Sequence, residues 1–158
     1  MRKRIVGPAR TDGQAQFDRA WLELEQIATV EVTSEDPDFP IESVFNSPTG
    51  PGWRASHEGE QQIRIIFDQP LTVHRIQLRF LERELERTQE FTIRWSSAGG
   101  GATKEILRQQ WNFSSAGSTS ELEDYEVSLA DVAVLELNVI PDITRRGAMA
   151  TLATWRIA

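Results

Sequence analysis

Six segments of this chain alternate apolar and polar side chains, and a period of two admits few folds. Ile63, Ile65 and Phe67 share one face, with Arg64, Ile66 and Asp68 on the other. Ile76, Leu78 and Phe80 repeat the pattern against Arg75, Gln77 and Arg79, and Phe91, Ile93 and Trp95 against Thr92, Arg94 and Ser96. Tyr125, Val127 and Leu129 follow, then Leu135, Leu137 and Val139, and the chain closes on residues 151–157. Turn formers separate the segments; in Ser97-Ala98-Gly99-Gly100-Gly101 the glycines reach positive φ without steric cost and predict a hairpin. This is the pattern of an all-β sandwich or barrel.

The connections carry further information. Four long polar stretches, residues 54–60, 82–89, 109–123 and 141–150, alternate with three tight ones, 69–72, 97–102 and 130–133. Successive connections in an antiparallel meander fall at opposite ends, so the long ones are expected to share one rim. Long loops on a rigid scaffold are where ligands usually bind.

At 158 residues the chain is read as an N-terminal arm, residues 1–20, and a single β-sandwich domain, residues 21–158. Within the first third, a strand is expected over residues 29–33, an extended segment at Trp21–Glu25, and one helical turn after Pro40. A net charge of −7 argues against a nucleic-acid or anionic-membrane partner. No apolar run approaches the roughly 20 residues of a membrane-spanning helix. The absence of cysteine removes disulfides, thiolate metal sites and thiol nucleophiles. Together with a start that lacks an apolar stretch of secretory length, it favours the cytoplasm. No Gly-x-Ser-x-Gly elbow, His-Glu-x-x-His or phosphate-cradling glycine loop occurs, so no enzyme is expected.

The run Ile41-Glu42-Ser43-Val44-Phe45-Asn46-Ser47-Pro48…Gly52-Trp53-Arg54-Ala55-Ser56, then Gln62-Ile63-Arg64-Ile65-Ile66-Phe67-Asp68-Gln69-Pro70 and Val73-His74-Arg75-Ile76-Gln77-Leu78, resembles the discoidin, or coagulation-factor type C, domains. The end, Ala150-Thr151-Leu152-Ala153-Thr154-Trp155-Arg156-Ile157, looks like that family's closing strand. The chain is similar in particular to small bacterial carbohydrate-binding proteins, through Arg87-Thr88-Gln89-Glu90-Phe91 and Arg108-Gln109-Gln110-Trp111-Asn112-Phe113-Ser114. The resemblance implies a galactose-binding-like jelly-roll β-sandwich of about eight antiparallel strands. Many members hold calcium with an Asp-Gly in the first loop and a Glu in the last strand. Asn46-Ser47 and Thr154 stand there instead, so no calcium and no other cofactor is expected.

Most of the five tryptophans read as core: Trp95 by its alternation, Trp155 beside Ile157, Trp53 by its match to the family's buried loop-base Trp, and Trp21 at the N-terminal edge. Trp111 differs, because it heads a long loop beside Asn112 and Phe113. A flat ring next to an amide offers a sugar both an apolar face and hydrogen bonds. The resemblance adds His57 and Arg54 in the first long loop, since galactose-binding relatives often set a His and an Arg against sugar hydroxyls. Arg83 and Arg87, in a mixed-charge run, project from the same rim, and Arg145, with Arg146, occupies the fourth loop, suited to an acidic sugar or carboxylate. The expected function is non-catalytic saccharide binding at the rim. The alternative is an intracellular protein-interaction module with a protein partner at those same loops.

Overall fold

The computed structural model describes residues 20–46 and 49–158. The expected arm therefore lies outside the described residues except for Ala20, as does Ser47 of the first loop. Eight strands are found among the described residues: β1 (Ala28–Val32), β2 (Trp53–Glu58), β3 (Gln61–Leu81), β4 (Arg87–Ser97), β5 (Lys104–Phe113), β6 (Ser120–Ile140), β7 (Met149–Leu152) and β8 (Thr154–Ile157). Two short helices, α1 (Leu24–Ile27) and α2 (Glu42–Asn46), complete the elements.

The centre of the fold is a two-stranded ribbon. β3 and β6 pair antiparallel along nearly their whole lengths, from Gln61↔Val139 to Leu81↔Ser120. Straight, such a strand would run on the order of 65–70 Å. Its two ends nevertheless meet. Phe80, near one end, packs 5.2 Å from Phe91, whose strand partner Val139 lies at the other end. The ribbon is bent back on itself, so its halves belong to opposing layers.

Residues 69–72 and 130–133 were expected to be tight connections between strands; they are corners within continuous strands. Pro70 removes a ladder donor, Asp131 adopts φ 60, and the register shifts between Ile66 and Leu71. Pairing resumes on both sides, so the two strands turn together. A corner that moves a strand from one layer to the other reverses its direction as a hairpin does, which is why the parity of the connections is preserved.

One layer runs β1, the first half of β3, the second half of β6, β4 and β5; the other carries β8 beside the second half of β3. β2 and β7 form a separate two-stranded sheet. The inward positions close between the layers: Ile63, Ile65, Ile76, Leu78, Phe80, Phe91, Ile93, Leu135, Leu137 and Val139 are all buried. Trp53 and Trp155 are buried with them, whereas Trp95 is half-buried against the core and Trp21 half-buried beneath the Arg75 guanidinium.

Two local expectations change. Trp21–Glu25 is not extended: α1 begins at Leu24, and a single turn puts Leu24 in the core while leaving Glu25 and Gln26 exposed. The closing segment is two strands, because Ala153 hands the chain from β2 to β3, its N–H bonding the Arg79 carbonyl at 2.8 Å. Gly52 permits this crossing; at φ +76, a Cβ there would stand 2.6 Å from the Leu152 carbonyl oxygen.

Candidate functional site

The connections at residues 59–60, 82–86, 114–119 and 141–148 meet at one end, joined by hydrogen bonds. The long loop expected over residues 54–60 is instead strand β2 as far as Glu58, with Trp53 and Ala55 turned inward, and only a two-residue turn leads on to β3. The Glu82 N–H donates to the Thr119 carbonyl and the Ile143 N–H to the Thr88 carbonyl, each at 2.8 Å. Arg146 Nη2 reaches the Glu86 carbonyl at 3.0 Å, and the Gly59 N–H the Ala148 carbonyl.

Beneath this rim lies Arg87, only 2% exposed. Its Nε donates to Glu82 at 2.8 Å, and its Nη1 to the Pro141 carbonyl at 2.8 Å and Gln89 at 3.2 Å. The guanidinium also lies 4.7 Å over the buried Phe113 ring. Burial pushes the Glu82 carboxyl up, but hydrogen bonds from Arg87 and the Glu84 and Leu85 amides, with the Arg87 charge, outweigh it and leave it below the ordinary carboxylate range. Arg87 thus ties three connections together from inside.

The buried polar cluster continues inward. Glu121 is 0% exposed and accepts from Gln89 Nε2 at 3.2 Å, while its second oxygen has no partner among the described residues. Burial pushes its carboxyl up to about 7 and the Glu123 charge adds to this, against the Gln89 hydrogen bond and the Arg87 charge. Glu123 in turn takes a short hydrogen bond from the Tyr125 hydroxyl. Glu121 is sealed from solvent and meets no substrate.

Above the rim the surface opens into a groove of about 740 Å³. Arg54 from β2, Arg79 from β3 and Arg83 from the loop after β3 line it, with Glu82, Glu84, Leu85, Met149, Thr151 and Thr154. Arg54 is held with its guanidinium 4.3 Å over the Phe39 ring. None of the three arginines forms an ion pair among the described residues. No aromatic side chain lines the groove among the described residues.

The candidates named from sequence therefore separate. Arg54 and Arg83 share the groove. Arg145, at φ 57, lines a smaller cavity of about 260 Å³ with Glu58, Glu60 and Asp142. His57 is exposed, hydrogen-bonded to Ser56 Oγ through Nδ1 at 3.0 Å, and lines neither cavity. Arg87 and Phe113 are buried below the rim. Trp111 does not head a loop: β5 runs to Phe113, and Trp111 pairs with Gln89 on the inward face, half-buried against the core. Asn112 points the other way and accepts from Thr88 Oγ1 at 2.7 Å. The polar run around Trp111 hid a strand in which only the last residues, Trp111 to Phe113, alternate inward and outward. Arg79 was missed as a site residue because it reads as an ordinary outward position; the signal was its place as the last outward arginine before a long loop.

Among the described residues no group of three or more acidic or histidine side chains could hold a metal ion, and no helix is long and apolar enough to cross a membrane. Asn46, the last residue of α2, donates to Glu25 at 2.6 Å.

No protein-family model matches the sequence, and no curated protein matches it either. Solved structures do. A family 32 carbohydrate-binding module from C. perfringens NanJ, in complex with galactose, superposes with a TM-score of 0.63 at 14% identity, over 87% of this chain and 96% of that one. The family 32 module of AlyQ, in complex with 4,5-unsaturated mannuronic acid, gives 0.61 at 17% identity, over 89% and 98%. Chitosan-binding module 1 of a chitosanase/glucanase from Paenibacillus sp. IK-5 gives 0.59 at 16% identity, over 87% and 98%. The folded-back ribbon, the loop-bearing rim and these superpositions identify the architecture as the galactose-binding-like jelly-roll β-sandwich.

Proposed function

We propose that this chain is a non-catalytic saccharide-binding module and that the groove lined by Arg54, Arg79 and Arg83 is its binding site. The observation that carries the reading is an open groove of about 740 Å³, with unpaired hydrogen-bond donors, at the loop-bearing end of the fold. Galactose, an unsaturated mannuronic acid and chitosan are named with structures that share the architecture. The carboxylate of Glu84 adds acceptors that suit the hydroxyls of a polyol.

Catalysis has no support in the groove. Glu82 is held ionised against Arg87, and the one strongly raised carboxyl, Glu121, is buried. Binding without chemistry remains, and single modules of this kind are expected in the millimolar to micromolar range, roughly −4 to −8 kcal/mol. Isothermal titration of the chain with galactosides, uronates and glucosamine oligomers tests the reading. Heat on at least one series, lost in Arg79→Ala and kept in His57→Ala, is expected. Silence across the panel at millimolar ligand would overturn it.

A further inference from the structure

We infer that the ligand of the groove is an acidic saccharide, held through sugar carboxylates by Arg79, Arg83 and Arg54; this rests on the saccharide reading above. Two independent observations converge. The first is charge. The chain carries a net −7, and Arg64, Arg75, Arg87, Arg94, Arg108 and Arg146 all pair with carboxylates. Three arginines without such partners nevertheless line one groove. Of the two acidic residues beside them, Glu82 is already matched by the buried Arg87. The local balance is positive on an acidic protein, which draws anions to this site.

The second observation is the lining itself. A neutral sugar gains much of its binding from a flat aromatic ring against its C–H face, and no such ring lines the groove among the described residues. Trp111, the ring that sequence put forward, lies half-buried against the core. Recognition then falls to the guanidinium groups. Their planar fork matches a carboxylate with two parallel, charge-assisted hydrogen bonds, a geometry that neutral hydroxyls do not offer. Arg54 is stacked on Phe39, so one of the three is held in place before ligand arrives. Leu85, 51% exposed at the groove edge, supplies apolar surface for the sugar ring.

The test titrates the full chain with tetragalacturonate, tetramannuronate and tetraglucuronate, the methyl esters of the same oligomers, a neutral galactan oligomer and a sulfated galactan oligomer, at low and high salt. At least one free acid is expected to bind about tenfold or more tighter than its ester, with the advantage shrinking as salt rises. Arg79→Gln and Arg83→Gln should each weaken the acid about tenfold and narrow its advantage over the ester, with unchanged thermal unfolding. Esters or neutral galactan binding as tightly as every acid would overturn the carboxylate inference and leave the saccharide site standing. Sulfated galactan matching the acids would overturn it in favour of unspecific anion binding. Silence toward all of them would remove the saccharide reading as well.

Discussion

The polar cluster under the rim and the groove above it are built from similar residues and behave in opposite ways. Below, Arg87, Gln89 and Glu121 are shut away from water and linked to one another and to the half-buried Glu82 by hydrogen bonds of 2.8–3.2 Å. Above, Arg54, Arg79 and Arg83 stand on open surface with no carboxylate partner among the described residues. The two regions share Glu82, whose carboxylate faces both. Buried charge survives only where it is matched, so the lower cluster is structural; charge left unmatched on a groove is available to a ligand. The number of charges in a loop thus says little about its role, and what decides it is whether the fold has already satisfied them.

The sharpest way to break this contrast is to remove the bolt. Arg87→Ala leaves Glu82 without its buried partner and should cost about 3–5 kcal/mol, lowering the unfolding midpoint by roughly 6–20 °C for a chain of this size. Thermal and urea unfolding check it, and an unchanged midpoint would mean that the rim is held by its backbone bonds alone. Across the divide, Arg79→Ala should leave stability within about 0.5 kcal/mol while removing a charge-assisted contact worth about 1.5–3 kcal/mol of ligand affinity. Calorimetry on the bound saccharide reads the second effect and unfolding reads the first.

A subtler probe uses pH. The native Glu121 carboxyl titrates near 7, above its ordinary 4.5, so the folded chain holds a proton that the unfolded chain releases. Its contribution is fully present below pH 4.5, falls as pH rises through 7 and is level beyond. Glu121→Gln should flatten that part of the stability–pH curve and raise the midpoint most at pH 8. A curve of the same slope in the variant would move the titration to another group. The smallest effect is expected at Trp111. Its Nε1 is buried without a hydrogen-bond partner among the described residues, so Trp111→Phe deletes a donor that nothing uses. Saccharide affinity should not change, and a loss would put the ring back in the binding site.

Much of the architecture was legible because alternation reports burial directly. Ile63, Ile65, Phe91, Ile93, Leu135 and Leu137 are inward as their spacing requires. The rim was legible for a similar reason, since reversal at each corner or hairpin keeps the parity of the connections. The site was legible only in part. Arg54 and Arg83 were named and do share the groove, whereas Arg87 and Phe113 were named and are buried. Arg83 and Arg87 stand four residues apart in one charged run, and nothing local distinguishes the arginine that turns inward from the one that stays out.

From its sequence alone this protein is an antiparallel β-sandwich with the connections at residues 82–86, 114–119 and 141–148 at one end, because a period of two and the reversal at each connection depend only on neighbours along the chain. Tertiary structure alone decided that β3 and β6 are single strands folded over a corner, that Trp111 packs inward, and that Arg79 joins Arg54 and Arg83. Those outcomes depend on pairing and charge matching between residues far apart in sequence. Glu82 meets Arg87 only five residues on, but the Pro141 carbonyl that completes the bolt lies far along the chain, and only the closed fold brings them together.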